Sequence, residues 1–155
     1  MGTNIDGRTG LVELSRDECL RLIAAAPIGR LAVVVAGRPL VFPVNFTLDG
    51  EALVLRTDIG TKLYGARRGP VAFECDGIDS GYHTGWSVLV VDHVEVVKDP
   101  VDIRRLERLP LTPWSSAPKP TWLRLRTRSI SGRRIPPHGR THSDQSEHQE
   151  EVRCP

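Results

Sequence analysis

The stretch of sequence that decides the fold spans residues 29–57 and is GRLAVVVAGRPLVFPVNFTLDGEALVLRT. It holds two runs rich in β-branched and other apolar residues, Leu31–Ala36 and Leu40–Leu48, separated by a short break that contains glycine and proline. Asp49-Gly50, a pair typical of tight hairpin turns, precedes a third such run at Ala52–Thr57. We therefore predict three consecutive strands, with a hairpin turn between the second and the third.

Three further strands and three short helices are predicted outside this stretch. The strands are Val71–Cys75, Trp86–Val97 and Thr121–Ser129. The helices run from a capping box at Ser15–Glu18 to Pro27, from Lys62 to about Arg68, and from Asp99-Pro100 to about Leu109. Six strands joined mostly by short turns predict a mainly β protein with an antiparallel barrel. A Rossmann fold is not expected, because the GxGxxG turn and the regular alternation with long helices are missing from the sequence.

The chain of 155 residues is predicted to hold one folded domain, at residues 13–135. Residues 1–12 show no hydrophobic period and are expected to form a flexible N-terminal lead. Residues 136–155 are PPHGRTHSDQSEHQEEVRCP, which contains a single large aliphatic residue. Because such a segment cannot bury enough apolar surface to offset its ordering entropy, we expect a disordered tail.

Composition and charge exclude several classes of function. Lys and Arg total 21 against 19 Asp and Glu, and this net charge of +2 argues against a nucleic-acid-binding protein. Apolar runs such as Leu31–Ala36 are far shorter than the roughly 20 residues of a membrane span. Cys19, Cys75 and Cys154 lie far apart, so neither a disulfide framework nor a structural zinc site is expected. The N-terminal residues do not resemble a secretory signal, and we expect a cytoplasmic protein.

The titratable side chains provide no assignable catalytic residue. Three of the five histidines fall in the predicted tail. The other two, His83 and His93, have no histidine or cysteine at metal-ligand spacing. A serine nucleophile on a GxSxG turn is also missing from the sequence. This pattern argues against a hydrolase and against a metal site.

A candidate anion-binding segment lies at residues 55–63, which are LRTDIGTKL. A predicted strand ends there in Arg56-Thr57, a glycine permits a tight loop, and Thr61-Lys62 open the next helix. Backbone N–H groups at a helix start favour anions, and Arg and Lys side chains add charge-assisted hydrogen bonds to phosphate. Lys62 is also one of only three lysines in the chain. An ordinary strand–turn–helix connection explains the same spacing, so the segment by itself leaves both interpretations open.

Four blocks of the sequence, taken together and in order, resemble the flavin-binding split-barrel superfamily of pyridoxamine 5'-phosphate oxidase-like proteins. The blocks are Pro27–Ala32, Pro39–Phe46, Leu55–Leu63 and Gly85–Val90. Trp114, Trp122 and Ile130–Ile135 are also similar to the small actinobacterial branch of that superfamily. The resemblance covers about residues 14–135.

The resemblance implies a six-stranded antiparallel split β-barrel that forms a homodimer, with two flavin sites at the subunit interface. By position, the residues implied to hold the flavin phosphate are Arg56, Thr57, Thr61 and Lys62. Those implied to surround the isoalloxazine ring are Pro43, Val44 and Asn45 along its edge, with Trp86 and Ser87 at the border of the site. Three interpretations of Trp114 stay open. It forms a lid over the site, it extends across the dimer towards the partner's ring, or it belongs to a surface loop folded onto the barrel.

The resemblance further implies a flavin-dependent oxidoreductase that acts on an unidentified small organic substrate. FMN is the expected cofactor, and a deazaflavin coenzyme, for which Arg67-Arg68 would extend a basic groove, is the alternative. Vitamin B6 oxidation is not expected, because Trp122–Leu125 occupies the region where true pyridoxamine phosphate oxidases carry an Arg- and His-containing substrate motif. Two other classes stay open: a non-catalytic flavin- or haem-binding barrel, and a structural dimer in which the phosphate motif is a turn.

Overall fold

The computed structural model describes residues 5–112, 114 and 116–137. Ten strands and three helices follow one another in this part of the chain. The strands are β1 (Val12–Glu13), β2 (Gly29–Val35), β3 (Arg38–Val44), β4 (Phe46–Asp49), β5 (Ala52–Thr57), β6 (Val71–Asp79), β7 (Thr84–Asp92), β8 (Val94–Val97), β9 (Thr121–Leu125) and β10 (Ile130–Ile135). The helices are α1 (Arg16–Ala25), α2 (Thr61–Ala66) and α3 (Pro100–Leu106).

Two antiparallel sheets enclose the core. The larger sheet has the strand order β1-β10-β7-β6-β2-β3, and the smaller sheet has the order β4-β5-β9-β8. Leu31, Phe73 and Val88 of the larger sheet belong to one buried cluster with Leu55 and Leu123 of the smaller sheet. The predicted mainly β, antiparallel architecture is confirmed.

All six predicted strands are present, and two of them are interrupted. The run Leu40–Leu48 breaks at Asn45, where the chain leaves the larger sheet and enters the smaller one. The run Trp86–Val97 breaks in the same way at His93, between β7 and β8. Strands that change sheets form the corners between packed sheets. Because both halves of each run pack on the same core, the apolar pattern continues across the break and does not reveal it.

Two strands, β1 and β10, were not predicted. β10 is arginine- and glycine-containing, and its Gly132 is required by packing, since a Cβ there would lie 2.5 Å from the Sγ atom of Cys19. β1 has only two residues and pairs with the far side of β10. The last predicted strand ends at Leu125 instead of Ser129. Beyond it, the buried Thr127 hydroxyl donates a hydrogen bond to the Glu51 carbonyl oxygen at 2.8 Å, which ties the segment to the neighbouring hairpin.

Backbone angles confirm the hairpin predicted at Asp49-Gly50 and show a second hairpin between β2 and β3. Ala36 and Gly37 join β2 to β3 with φ values of 49° and 75°, the left-handed pair that a two-residue turn between twisted strands requires. Gly50 and Glu51 join β4 to β5, and Gly50 has a φ of 61°. The Asp49-Gly50 signal therefore marks the correct hairpin, with the turn beginning one residue later.

The helices agree with their predicted starts more closely than with their ends. Ser15 and Glu18 form the expected capping box, and α1 ends at Ala25 because Pro27 forces Ala26 into extended backbone. α2 has six residues and stops before the predicted Arg68. Asp99 caps α3, which covers the outer face of the smaller sheet through Leu106.

The two ends of the chain are described only in part. Within the predicted lead, Asp6 N–H donates to the Leu11 carbonyl oxygen at 2.9 Å, and Ile5 pairs with Val12. The predicted tail lies outside the described residues from position 138 onward, and so do three histidines and Cys154. The domain limits, 13–135, stay a prediction. Over the described ranges, no helix is both long and apolar enough to span a membrane.

Candidate functional site

Asn45 stands at the junction of the two sheets. It is the single residue between β3 and β4, and both of its neighbours, Val44 and Phe46, turn their side chains into the core. The Asn45 side chain is half-buried, and its Oδ1 atom accepts a hydrogen bond from the backbone N–H of Trp114 at 2.9 Å. The sheet junction and the loop that carries Trp114 are therefore joined by this side chain.

Arg56 lies near the end of β5, on the outer face of the smaller sheet. The strand register places it opposite Trp122, and its guanidinium carbon lies 5.3 Å from the centre of the Trp122 ring. Its Nε atom donates a hydrogen bond to the Lys119 carbonyl oxygen at 2.8 Å. The aromatic ring and the Lys119 backbone together hold the guanidinium half-buried in one orientation.

Lys62 lies in the first turn of α2 and is also half-buried, with its Nζ atom 5.3 Å from the centre of the Phe42 ring. Burial lowers the pKa of Lys62 below its ordinary value of 10.5, and the Lys119 ammonium nearby lowers it further. The Asp58 carboxylate acts in the opposite direction. An ammonium group in these surroundings gains from an anion placed beside it.

These side chains line one small pocket, which we call the cationic pocket. Its lining residues are Pro43, Val44, Asn45, Arg56, Lys62, Leu111 and Lys119, and its volume is about 30 Å³. Among the described residues, none of its three cations forms an ion pair with a carboxylate. Five of the residues that the sequence predicts for cofactor binding therefore meet in one place.

A larger cavity of about 530 Å³ adjoins the cationic pocket, because Asn45 and Leu111 line both. The end of α1, strand β4 and residues 110–112 and 114 form its walls. Trp114 lies at its rim, with 70% of the residue exposed. This cavity is named the neutral cavity below, because no described residue that lines it carries a charged side chain.

Comparison with known proteins identifies the family. A family model described as pyridoxamine 5'-phosphate oxidase matches residues 15–134. The chain belongs to the pyridoxamine 5'-phosphate oxidase family. Membership fixes the split-barrel fold, whereas the reaction has to be argued from the site.

Three relatives of this family member show how far the similarity extends. An uncharacterized protein of Mycobacterium tuberculosis is 34% identical over 137 residues, which are 84% of this chain and 90% of that protein. The FAD binding protein from Mycobacterium smegmatis is 33% identical in sequence, and its structure matches with a TM-score of 0.67. The match covers 79% of this chain and 96% of that one. A FAD-binding protein from Mesorhizobium loti is 25% identical with a TM-score of 0.66, covering 80% and 96%.

Thr57 and Thr61, the other two residues predicted for the phosphate, do not line the cationic pocket. Thr57 is fully buried, and its hydroxyl donates to the Asp58 carboxylate at 3.3 Å. Thr61 is exposed as the first residue of α2, whose N-cap is Gly60. Within this chain, the cationic character of the pocket thus comes from long basic side chains, and the threonines shape the strand end and the loop beside it.

Trp86 and Ser87 lie in a different part of this family member. They line a cavity of about 610 Å³ at the ends of β6, β7 and β10, which shares no lining residue with the cationic pocket. The indole of Trp86 packs directly over Gly77, where a Cβ would lie 2.5 Å from its Nε1 atom. Ser87 is exposed on the outer face of the larger sheet. A single chain therefore does not bring these two residues to the other predicted site residues.

Lys119 is the residue that sequence reasoning missed. It lies between two prolines in the loop before β9, and no local motif marks it. The pairing of β9 with β5 brings that loop beside Arg56. A signal was nevertheless present, since Lys119 is another of the three lysines in an arginine-rich chain.

Proposed function

We propose that this family member binds a flavin, with the flavin phosphate in the cationic pocket and the isoalloxazine ring beside residues 43–45. The observation that carries the proposal is the convergence of Arg56, Lys62 and Lys119 on one pocket without ion-paired carboxylates among the described residues. Two relatives whose structures are those of FAD-binding proteins support a flavin as the ligand.

The electrostatics of the cationic pocket fit a phosphate group. Burial and the proximity of Lys119 both disfavour the charged form of Lys62, as its lowered pKa records. A phosphate placed between the two ammonium groups converts this repulsion into two attractions, and Arg and Lys both form charge-assisted hydrogen bonds to phosphate oxygens. The pocket volume of about 30 Å³ is too small for a ring system, so the ring would lie outside it.

The residues at the sheet junction fit the edge of a flat ring that is largely apolar. Pro43 and Val44 provide apolar surface, and neither adds a charge. Asn45 uses its Oδ1 atom on Trp114, so its amide N–H groups are the donors that would face a ring carbonyl. Asn45 would therefore orient the ring while the cations hold the phosphate.

Among the flavins, we propose FMN, which carries a single phosphate and no further charged group. FAD and a deazaflavin coenzyme would place their additional groups outside the cationic pocket. Arg67 and Arg68 do not line that pocket, and the guanidinium carbon of Arg68 lies 4.2 Å from the centre of the exposed Tyr64 ring. These two arginines are the groups that a longer acidic coenzyme would contact.

We also propose that the functional unit is a homodimer. The outer face of the larger sheet exposes Val34, Val41, Leu89 and Val91, a patch that would be covered by a second copy of the chain. Pro43 lies on the same face as Val41, so the patch is continuous with the edge of the cationic pocket. Within one chain, Trp86 and Ser87 do not line the cationic pocket. A second chain packed on this face would supply its own Trp86 and Ser87 to the border of that pocket.

The bound flavin would make the protein an oxidoreductase for a small organic substrate. A flavin supplies the hydride or electron transfer when bound, while the protein contributes binding, orientation and electrostatics. The described residues of the cationic pocket are three basic side chains, an amide and apolar walls, which suit binding and orienting the cofactor. A chain that holds flavin but shows no flavin reoxidation by any small organic acceptor would be a binding protein instead.

Native mass spectrometry of the full chain, incubated separately with FMN, FAD, a deazaflavin coenzyme and haem, tests the proposal. We expect a dimer that carries two FMN molecules. Lys62→Ala should lose the flavin, whereas Lys98→Ala, which removes an exposed lysine outside the pocket, should retain it. A wild-type chain that takes up none of the three flavins would overturn the proposal, and uptake of haem alone would favour a haem-binding barrel.

A further inference from the structure

The neutral cavity differs in chemistry from the cationic pocket that it adjoins. Its walls include Ile23 and Pro27 at the end of α1, Leu48 on β4, and Leu111 and Trp114 in the loop at residues 110–114. Its polar side-chain groups are neutral, and they come from Asn45, two threonines and the Trp114 indole. A cavity of about 530 Å³ lies within the range of roughly 300–1,000 Å³ that small-molecule sites occupy.

The charge distribution decides which molecules this cavity can take. An anion moved from water into a cavity without a counter-charge loses hydration and gains no charged partner, which makes its transfer unfavourable. Arg56, Lys62 and Lys119 line the adjoining cationic pocket, where the flavin phosphate would occupy them, and no described residue that lines the neutral cavity is basic. A second phosphorylated or carboxylated molecule therefore finds no cation in the neutral cavity.

We propose that the neutral cavity is the substrate site, and that it selects an uncharged, partly apolar molecule such as a quinone or an aromatic carbonyl compound. The inference rests on the proposed function, because it assumes a flavin in the neighbouring pocket. Asn45 lines both spaces, so the cavity opens next to the edge of a ring placed along residues 43–45, and a molecule in it would lie beside that ring. That adjacency is what transfer between flavin and substrate requires.

Trp114 adds a large aromatic surface at the rim of the cavity. Its backbone N–H is bonded to Asn45, while the residue as a whole is 70% exposed. An aromatic or quinoid molecule entering the cavity would cover this indole, and the gain in buried apolar area favours flat neutral rings over small polar molecules.

Isothermal titration of the full chain, once loaded with FMN and once without flavin, tests the inference with two probes. Menadione is a neutral quinone, and pyridoxal 5'-phosphate is an anionic aromatic aldehyde. Ala24 lines the cavity from an exposed position of α1, and Ala25 is exposed next to it but outside the cavity. We expect Ala24→Glu to weaken menadione binding at least tenfold with flavin content unchanged, and Ala25→Glu to change neither quantity.

The outcomes separate this inference from the proposed function. Two results would overturn the neutral-cavity assignment. The first is menadione binding that is equal in wild type and Ala24→Glu. The second is pyridoxal 5'-phosphate binding that is as tight as that of menadione and equally sensitive to Ala24→Glu. A chain that takes up no flavin but binds menadione in an Ala24-dependent way would overturn the proposed function and leave the ligand class of the cavity intact. Flavin uptake without menadione binding would overturn the neutral-cavity assignment and leave the proposed function intact.

Discussion

Two arginines on the outer face of the smaller sheet have opposite surroundings. Arg124 on β9 and Arg56 on β5 lie on the same face, because the register pairs Arg124 with Val54 and Arg56 with Trp122. Arg124 donates to the Asp102 carboxylate at 2.8 Å and lies 3.4 Å from that of Asp49. Arg56 is held by an aromatic ring and a backbone carbonyl instead.

The difference separates basic residues that hold the fold together from those that can take a ligand. Arg105 completes the cluster around Arg124 with hydrogen bonds to Asp49 and Asp102, both at 2.7 Å. These arginines lower the pKa of both aspartates, so the charges in the cluster stabilise one another. In the cationic pocket the pKa of Lys62 is lowered by burial and by a second cation. The cluster of Asp49, Asp102, Arg105 and Arg124, called the paired cluster below, needs no ligand. In the cationic pocket, no described carboxylate forms an ion pair with the cations.

The largest expected effect lies in the paired cluster. Arg124→Ala should lower the free energy of unfolding by roughly 2–3 kcal/mol, less than for a fully buried ion pair because Arg105 still neutralises the two aspartates. Urea denaturation measures this change. Arg126→Ala, which removes a highly exposed arginine from the same region, should cost less than about 0.5 kcal/mol. If Arg124→Ala left stability unchanged but weakened flavin binding, the proposed division between the two groups would be wrong.

The cationic pocket should respond in the opposite way. Lys62→Ala should weaken flavin binding by about 1.5–3 kcal/mol, roughly 10- to 150-fold, because it removes a charge-assisted hydrogen bond to phosphate. Stability of the flavin-free chain should stay the same or rise slightly, since the variant removes a half-buried ammonium near Lys119. Fluorescence titration with FMN and thermal unfolding without flavin measure the two effects.

Lys98→Ala is the matched control for Lys62→Ala, as it removes an exposed lysine that lines neither space. It should leave both FMN affinity and melting temperature unchanged. Equal loss of affinity in the two variants would show that the net charge of the chain, and not the pocket, attracts the flavin.

The sequence predicts one half of the cationic pocket and not the other, for physical reasons. Arg56 and Lys62 lie within one strand–loop–helix segment, so their proximity follows from local spacing. Lys119 reaches them only through the pairing of β9 with β5, and long-range pairing leaves no local signature. The Asn45 break is hidden for a related reason, because the strand halves on both sides are apolar and share one core.

The fold itself was more predictable than the site. The hairpin glycines and the capping box at Ser15 act through nearby backbone, and each is found where the sequence places it. Trp86 and Ser87 show the limit of this approach, since a family motif indicates that they border a site but not which chain supplies them. Their cavity is separate from the cationic pocket within one chain, and the proposed homodimer is the arrangement in which the two would meet.

The pH dependence of flavin binding should sharpen the contrast between the two groups of basic residues. Affinity should rise as pH passes about 6, where the phosphate gains its second charge. Because the pKa of Lys62 lies below 10.5 in the flavin-free chain, affinity should decline again at alkaline pH as Lys62 loses its proton. Lys62→Arg should abolish this alkaline decline, since a guanidinium stays charged. FMN titrations between about pH 5 and pH 10 measure both limbs, and an identical decline in Lys62→Arg would assign it to another group.

The smallest expected effect concerns Asn45, which joins the sheet junction to Trp114. Asn45→Ala removes the acceptor of the Trp114 N–H, so hydrogen exchange of that amide should become faster, and FMN affinity should fall by about 0.5–1.5 kcal/mol. Asn45→Asp keeps an acceptor for Trp114 but removes the amide donors and adds a carboxylate beside Lys62. It should therefore preserve the slow exchange of Trp114 while weakening FMN at least as much as Asn45→Ala. Unchanged exchange in Asn45→Ala would mean that other contacts hold the Trp114 loop, and the amide would then be assigned to the flavin alone.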